Sequence, residues 1–384
     1  MAILWLVGIN LRTVILGVPP TLPTLHRALG LSYSAGGLLT SVPVLVMAAG
    51  AIPGAFLISR IGARGAISAG LMLLTAGAAL RGVSTSPLVL FAFTVLFSIG
   101  IAISQPAVPA LIQGWFPQKV GRATAIYSNG LLIGEVLAAT LTLPLLLATF
   151  GWQVALAAWA VLSALGLALW LLLTPALKRT QSASGWVPDW RNRTAVQLAL
   201  LMGAASLVYF GMNTWIPDTM EVRHAHGLIP LTLGVLNFSQ LPVSAGLALV
   251  ADRLVGRRWP YVVAGSGCLL GVVGYLLAPA ASAPLWAALA GAGSSLAFIL
   301  NLGLPALLDP AQVARTTGLM FTVGYGCAFF GPALGGVGWD LSGNFQLALI
   351  PMAVAALLML LIGGTFPRLS LSGSEIPAVS GSAR

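Results

Sequence analysis

The chain has 384 residues, of which 58% are hydrophobic and 7% are charged, and its mean hydropathy is +0.97. Soluble domains carry about 25% charged residues, so this composition excludes a water-exposed exterior and predicts an integral membrane protein. The net charge of +10 fits the enrichment of Lys and Arg in cytoplasmic loops better than a nucleic-acid surface.

Windows of about twenty apolar residues predict membrane-spanning helices, because only a helix satisfies every backbone group inside lipid. The first window opens at Ile3 without a charged leader, so we interpret it as a spanning helix rather than a cleaved signal peptide. The windows predict twelve spans, at 3–25, 34–59, 66–81, 87–113, 123–149, 152–174, 194–217, 228–251, 261–278, 284–308, 316–341 and 345–366.

The longest polar interval between spans divides the predicted helices into two sets of six. We therefore expect an all-α membrane fold of two six-helix bundles, residues 1–175 and 194–367. A linker at 176–193 joins them, and a disordered tail at 368–384 follows. Most Lys and Arg residues fall in loops on the same side of the membrane as this linker. Both termini and the linker are therefore predicted to be cytoplasmic.

Two sequence features recur about half the chain apart. The fourth predicted helix ends in Pro-Ala-Leu-Ile from Pro109, and the tenth ends in Pro-Ala-Leu-Leu from Pro305. A short basic turn with a glycine follows both the second and the eighth helix. Its residues are Arg60, Gly62 and Arg64 in the first copy and Asp252, Arg253, Gly256 and Arg257 in the second. Parallel repeats of this kind are typical of transporters whose two bundles rock about a central site.

With these turns the chain resembles the major facilitator superfamily, whose loop after the second helix reads Gly-x-x-x-Asp-Arg-x-Gly-Arg-Arg. The first copy departs from that pattern, with Ser59 in place of the aspartate and Ala63 in place of a base. More narrowly, the chain is similar to the cyanate and 2-nitroimidazole transporter family, in segments that begin at Asn10, Leu38, Ala79, Pro109, Gly324, Gly331 and Trp339.

This resemblance implies a secondary transporter of the bacterial inner membrane that works by alternating access. Its solute is expected to be small and anionic or polar, such as cyanate, a small organic anion or a nitroimidazole. The basic turns are then predicted to form a gate on the cytoplasmic side. A multidrug or toxic-compound exporter of the same superfamily is the alternative, and a channel or receptor stays open in principle.

Two ionisable residues lie near the middle of predicted helices, Arg12 in the first and Glu135 in the fifth. A charge at the bilayer centre costs about 2.5 to 3.5 kcal/mol even on lenient insertion scales. Arg12 either binds the solute, because its fork suits a planar anion, or only pairs with Glu135 to hold the bundle together. Glu135 either carries a coupled proton or serves only in that pair.

The resemblance also implies that the first, fourth, seventh and tenth helices line the solute path. Their polar side chains, with one from the eleventh helix, are candidate solute contacts: Asn10, Gln105, Tyr209, Asn213, Asn301 and Tyr325. Asn237, Gln240 and Arg81 are secondary candidates. Arg81 ends the third helix at the outer edge, where its long side chain can reach the headgroups, so it has either a structural or a functional role. Each of them can instead form a hydrogen bond between helices.

Catalytic chemistry is not expected from this sequence. The histidines His26, His224 and His226 fall in predicted outer loops, and the chain contains no phosphate-binding loop. Cys268 and Cys327 lie in apolar runs and are predicted to be core residues rather than a disulfide or a metal site. We therefore predict a monomer without metal or cofactor, whose partners are lipid, a small solute and, if Glu135 carries one, a proton.

Overall fold

The computed structural model describes residues 1–175, 190–254, 257–308 and 313–365, and these residues are almost entirely helical. Eleven helical stretches among them are long and apolar enough to cross a membrane. One stretch, Val120–Leu173, has 54 residues and is long enough to cross twice, since a span needs about 20 residues. The described residues therefore account for the twelve predicted spans.

The spans are labelled α1 to α12 in chain order. The first half comprises α1 (Ala2–Leu29), α2 (33–61), α3 (63–80), α4 (Pro87–Trp115), α5 (120–150) and α6 (152–173). The second half comprises α7 (Arg193–Val222), α8 (Ile229–Phe238, then Gln240–Leu254), α9 (Trp259–Leu277), α10 (Ala283–Leu308), α11 (Val313–Ser342) and α12 (Phe345–Thr365).

The first span is broken in the middle, where Pro19 and Pro20 mark an interruption in the sequence. Its first part is Ala2–Leu16, a 3₁₀ turn follows at Pro19–Thr21, and a short helix, Leu22–Leu29, completes it. Proline supplies no backbone N–H and its ring clashes with the preceding turn, so the adjacent prolines Pro19 and Pro20 interrupt the helical hydrogen bonds.

The turn between α2 and α3 is shorter than predicted. The helix is continuous from Tyr33 to Leu80 except at Gly62, whose backbone has φ 77° and ψ 162°. Glycine adopts a positive φ without the steric cost that other residues bear, so this one residue replaces the loop predicted at 60–65. A similar glycine, Gly151 with φ 79° and ψ 172°, separates the two crossings of Val120–Leu173.

Buried apolar side chains form a large core in each half of the chain. The core of the second half includes Met212, Trp215 and Ala290. The core of the first half includes Leu11 and Phe97, and it also takes in Tyr209 and Tyr325 from the second half. Large apolar side chains also cover the outside, with Leu88 and Leu172 each 80% exposed and Leu341 85% exposed, as a lipid-facing surface requires.

The two ends of the bundles are distinguished by their connections. On the linker side, α6 ends at Leu173 and α7 begins at Arg193. On the opposite side, called the far side, α1 ends at Leu29 and α2 begins at Tyr33. The predicted bundle boundaries, linker and tail stay predictions, because 176–189 and 366–384 lie outside the described residues.

Candidate functional site

Glycines bring the backbones of α1 and α5 into direct contact. A Cβ added to Gly130 would lie 2.2 Å from the carbonyl oxygen of Trp5, and one on Gly134 would lie 2.5 Å from that of Ile9. Small residues permit such close approach between membrane helices. This contact fixes the position of α5 along α1, so that Glu135 faces Arg12.

Arg12 and Glu135 form an ion pair in the interior of the protein. Arg12 Nε lies 3.3 Å from Glu135 Oε1, and the two side chains are 7% and 6% exposed. The guanidinium also lies 5.9 Å from the ring centroid of Phe210 on α7, within the range of a cation–π contact. The ion pair between Arg12 and Glu135, which the sequence allowed as one alternative, is therefore present. It lies against the second half of the chain.

Both partners of this pair are hydrogen-bonded to the second half. Tyr325 on α11 accepts hydrogen bonds from Gln105 Nε2 at 2.6 Å and from Arg12 Nη2 at 3.4 Å. Gln240 on α8 donates from Nε2 to Glu135 Oε2 at 3.1 Å. These five side chains, Arg12, Gln105, Glu135, Gln240 and Tyr325, are called the central cluster.

A second polar group on α7 and α8 adjoins the central cluster. Tyr209 donates its hydroxyl hydrogen to Asn237 Oδ1 at 2.5 Å, and Asn237 Nδ2 donates to Asn213 Oδ1 at 2.9 Å. Tyr209 is also within electrostatic range of Glu135. Asn213 and Asn237 thus form hydrogen bonds between helices, which the sequence allowed as their alternative role.

Two further predicted contacts lie apart from the central cluster. Asn10 donates from Nδ2 to the carbonyl oxygen of Leu6 at 2.9 Å and packs against Gly166 of α6. Asn301 on α10 is fully buried, and neither polar atom of its carboxamide has a hydrogen-bond partner among the described residues. Neither side chain shares a hydrogen bond with the central cluster in the described part of the chain.

Arg81 does not reach the headgroups, which was one of the two roles that the sequence allowed. Arg81 is 0% exposed, and its Nη2 lies 3.3 Å from the carbonyl oxygen of Val14 and 3.4 Å from that of Leu156. Its guanidinium lies 4.6 Å from the ring centroid of Phe97. The side chain points into the first bundle, a direction that its position at a helix end does not reveal.

The first predicted gate turn makes contacts inside its own half. Arg64 donates from Nε to Thr174 Oγ1 at 3.1 Å and from Nη2 to the carbonyl oxygen of Leu171 at 3.3 Å. Arg60 stacks on Phe56, with 4.7 Å from Cζ to the ring centroid. Arg64 therefore caps the end of α6.

The second predicted gate turn is described only in part. Arg257 is exposed, and its backbone N–H donates to the carbonyl oxygen of Leu254 at 3.1 Å. The side chains of Asp252 and Arg253 and the whole of Gly256 lie outside the described residues. A gating role for either turn stays a prediction.

Sequence reasoning missed Tyr127 as a neighbour of Arg12. Tyr127 lies on α5 about two turns before Glu135, and its carbonyl oxygen would lie 2.6 Å from a Cβ added to Gly8, one helical turn before Arg12. Its hydroxyl, Arg12 Nη1 and Gln105 Oε1 are buried polar atoms without a hydrogen-bond partner among the described residues. The helical repeat places Tyr127 near the face of Glu135, which is the signal that identifies it.

The far side of the interface is closed by polar contacts that the sequence did not predict. The two carboxylate oxygens of Asp340 on α11 accept hydrogen bonds from the backbone N–H groups of Tyr33 at 3.0 Å and Ser34 at 2.8 Å. His26 Nε2 lies 3.3 Å from Asp218 Oδ2. Arg27, whose side chain is 70% exposed, donates from Nη1 to Glu221 Oε1 at 3.1 Å.

The position of Asp218 differs from the prediction, which put it just beyond the end of the seventh span. The sequence ends the seventh span at Pro217, but α7 continues to Val222 and leaves Asp218 3% exposed. Neighbouring helices tolerate a proline inside a membrane helix, and here His26 supplies the partner that the buried carboxyl needs.

Close backbone packing accompanies these far-side contacts. A Cβ on Gly37 of α2 would lie 2.3 Å from the carbonyl oxygen of Pro332, and one on Gly336 of α11 would lie 2.4 Å from that of Tyr33. The rings of Tyr33 and Trp339 stack with centroids 4.0 Å apart and an interplanar angle of 8°. The interface between α2 and α11 is therefore closely packed from Pro332 to the far side.

Twelve spans in two bundles, with a polar cluster shared between the halves, define a membrane transporter of the major facilitator type. The sequence profile of the Major Facilitator Superfamily matches residues 4–332, and the chain belongs to this superfamily. It is a multi-pass membrane protein that transports a small molecule, and it is not an enzyme.

Comparison with individual proteins confirms the narrower resemblance. The chain is 32% identical over 371 residues to the 2-nitroimidazole transporter of Escherichia coli, covering 93% of this chain and 92% of that protein. It is 27% identical over 354 residues to the cyanate transport protein CynX of the same organism, covering 90% and 91%. The inward-open xylose transporter XylE from E. coli has a similar fold, with TM-score 0.74, 12% identity, and coverage of 93% and 94%.

Proposed function

We propose that this chain moves a small planar anion, or a polar solute with an anionic edge, across the bacterial inner membrane by alternating access. Arg12 is the main solute contact, and Glu135 carries a coupled proton. One observation supports the proposal most strongly: the Arg12–Glu135 pair is buried where the two halves meet, and each partner bonds to the second half. Solute binding or protonation at the pair therefore alters contacts with both halves of the protein.

The free polar atoms around Arg12 favour a particular kind of solute. Among the described residues, Arg12 Nη1 is a donor without a partner, Gln105 Oε1 is an acceptor without a partner, and the Tyr127 hydroxyl, also without a partner, can serve as either. An unpaired buried polar group costs about 1 to 3 kcal/mol, so a solute that accepts from Arg12 and donates to Gln105 relieves that cost. The ring of Phe210, 5.9 Å from the Arg12 guanidinium, offers a flat face to a planar solute.

Proton coupling follows from the short distance within the ion pair. An anion bound to Arg12 lies near the Glu135 carboxylate, and two like charges 4 Å apart repel by about 4 kcal/mol at an effective dielectric constant of 20. Protonation of Glu135 removes this repulsion and frees the guanidinium fork for the anion. Anion binding and proton binding are therefore linked and favour each other, so uptake increases as the external pH falls.

The closed far side supports a direction of access in this conformation. With the linker side in the cytoplasm, as the distribution of cations predicts, the far side faces outward, so this conformation is closed to the outside. Transport then requires that the contacts of α2 with α11 open in another conformation.

The exporter alternative is disfavoured by the contacts of the central acid. Recognition of an apolar cation needs an acid that is free to pair with it. Glu135 is already held by Arg12 and Gln240, and the other buried acid of the described residues, Asp218, is held by His26 on the far side. The site therefore favours an anion or a neutral polar solute.

The proposal is tested with purified protein reconstituted in lipid vesicles. Radiolabelled cyanate and 2-nitroimidazole are supplied outside, after a thermal-shift screen that adds nitrate, short carboxylates and amino acids. We expect saturable uptake of at least one solute, faster uptake into vesicles preloaded with the unlabelled solute, and greater accumulation when the inside is alkaline. Flux that is linear in concentration, or no flux beyond protein-free vesicles for the whole panel, contradicts the proposal.

A further inference from the structure

Arg81 is a buried cation that joins four helices of the first bundle. It follows the last residue of α3 and stacks on Phe97 of α4. Its Nη2 lies within hydrogen-bond distance of the carbonyl oxygens of Val14 in α1 and Leu156 in α6. Its contacts therefore tie the broken span α1 to three continuous helices.

The break in α1 explains why the carbonyl of Val14 needs a donor from elsewhere. In a continuous helix this carbonyl would accept from the N–H of Val18, four residues later. Here the N–H of Val18 donates to the carbonyl oxygen of Ile15 at 3.3 Å instead. An orphan carbonyl at a helix end requires a partner when it is buried, and Arg81 supplies it.

Using a cation to satisfy a carbonyl oxygen inside a membrane protein carries a large free-energy cost, because the charge must be buried. In the part of the chain that the structure describes, no carboxylate lies within ion-pair distance of Arg81. Its compensation comes from carbonyl dipoles, the partial negative charge at the end of the Ala2–Leu16 helix and the ring of Phe97. A buried charge without an acid is costly, which indicates a role that a neutral side chain does not fulfil.

We propose that Arg81 is a positioning residue that fixes the end of the Ala2–Leu16 helix, and through it the guanidinium of Arg12. Arg12 lies two residues before Val14 on the same turn of that helix. Any movement of the Val14 carbonyl therefore moves the Arg12 backbone relative to Glu135 and Tyr325. The inference rests on the proposed function only in that Arg12 is taken as the solute contact.

Arg223 provides a matched control in the second half. It lies just beyond the end of α7, donates from Nη1 to the carbonyl oxygen of Tyr275 at 2.8 Å and from Nη2 to that of Ala278, and lies 5.6 Å from the Tyr275 ring centroid. It thus holds the end of α9 with the same chemistry that Arg81 uses at α1. Its contacts are remote from Arg12.

The test measures the position of residue 12 without using a solute. In a Cys268→Ala, Cys327→Ala background, the thiol introduced by Arg12→Cys is alkylated with N-ethylmaleimide in vesicles. We expect Arg81→Gln to raise the alkylation rate about tenfold, since a charged hydrogen bond that orders this helix end is lost, and Arg223→Gln to leave it unchanged. An unchanged rate in Arg81→Gln, with only a lower Tm, overturns the proposal.

Two further measurements keep the proposal testable. If Arg12→Cys does not fold, amide hydrogen exchange of peptide 2–25 is measured with Arg12 in place, and it must rise in Arg81→Gln but not in Arg223→Gln. For 2-nitroimidazole uptake, Arg81→Gln is expected to raise KM about tenfold in the wild-type background and to add nothing in an Arg12→Lys background. Equal effects in both backgrounds contradict action through Arg12. If the wild type does not take up 2-nitroimidazole, the comparison is made with the panel solute that it does take up, and only absence of uptake for the whole panel counts against the proposed function.

Discussion

Gln240 donates a 3.1 Å hydrogen bond to the carboxylate of Glu135, so the acid that pairs with Arg12 is also held by the opposite half of the protein. The protonation state and the partners of Glu135 therefore influence the contacts between the two halves. A carrier that couples solute binding to rocking of its halves needs a link of this kind, because a ligand shifts a conformational equilibrium only through contacts that differ between the states.

Glu135→Gln is expected to separate exchange from accumulation. The carboxamide resembles the protonated acid in shape and charge but cannot release a proton. Solute exchange in preloaded vesicles should stay within about twofold of the wild type, and accumulation driven by an imposed pH gradient should fall to the level without a gradient. Glu221→Gln, which alters a far-side acid paired with Arg27, is the control. Wild-type accumulation by Glu135→Gln would reject the coupling role.

Gly336→Ala is expected to open the far side. The added methyl group would lie 2.4 Å from the Tyr33 carbonyl oxygen, so α2 and α11 must separate. Gly326→Ala on the same helix, where nothing lies within 4 Å, should have no such effect. Spin labels introduced by Ala28→Cys and Gly227→Cys report the far-side distance by electron–electron double resonance. Identical distance distributions in the two alanine variants would contradict a sealed contact at Gly336.

Asp340→Asn should shift the same equilibrium without changing side-chain size. Asp340 caps the start of α2 by accepting from the Tyr33 and Ser34 N–H groups, and a cap or a charge at a helix terminus contributes roughly 1 kcal/mol. Loss of that amount changes the ratio of far-side-closed to far-side-open molecules about fivefold. The spin-labelled pair measures the populations, and an unaltered ratio would show that the cap is not part of the closure.

Gly130→Ala should destabilise the first bundle, because its methyl group would meet the Trp5 carbonyl oxygen at 2.2 Å. Overpacking of this kind costs about 1 to 3 kcal/mol, so Tm should fall by several degrees and saturable uptake should weaken as Arg12 and Glu135 lose their register. Gly121→Ala is the control on the same helix, with nothing within 4 Å. Equal melting temperatures for the two variants would mean that α1 and α5 can separate freely.

The sequence predicts the spans well, because a membrane helix is set by the length of its apolar run. It marks the interruption at Pro19 and Pro20 but does not give the backbone conformation of the interruptions. The one-residue turn at Gly62 and the break after Leu16 depend on local backbone conformation, and a hydropathy window averages over such features. The broken α1 matters for the site, because it creates the free carbonyl that Arg81 satisfies.

Arg12 and Glu135 can be identified from the sequence as exceptional charges within apolar helices, but their pairing cannot. Pairing depends on the rotation of α1 against α5, which the contacts at Gly130 and Gly134 determine. Asp340 was overlooked because its partners are backbone N–H groups more than 300 positions away. The direction of the Arg81 side chain was left open, because sequence position gives depth along a helix but not whether a side chain faces lipid or the bundle.

The most direct test of the solute site is equilibrium binding to Arg12→Lys. Lysine keeps the positive charge beside Glu135 but lacks the planar fork that holds an anion with two parallel hydrogen bonds. For the solute that the wild type transports, we predict binding about tenfold or more weaker in Arg12→Lys, at the scale of one charged hydrogen bond, and wild-type affinity in Arg27→Lys on the far side. Wild-type affinity in both variants would remove Arg12 from the site and contradict the account.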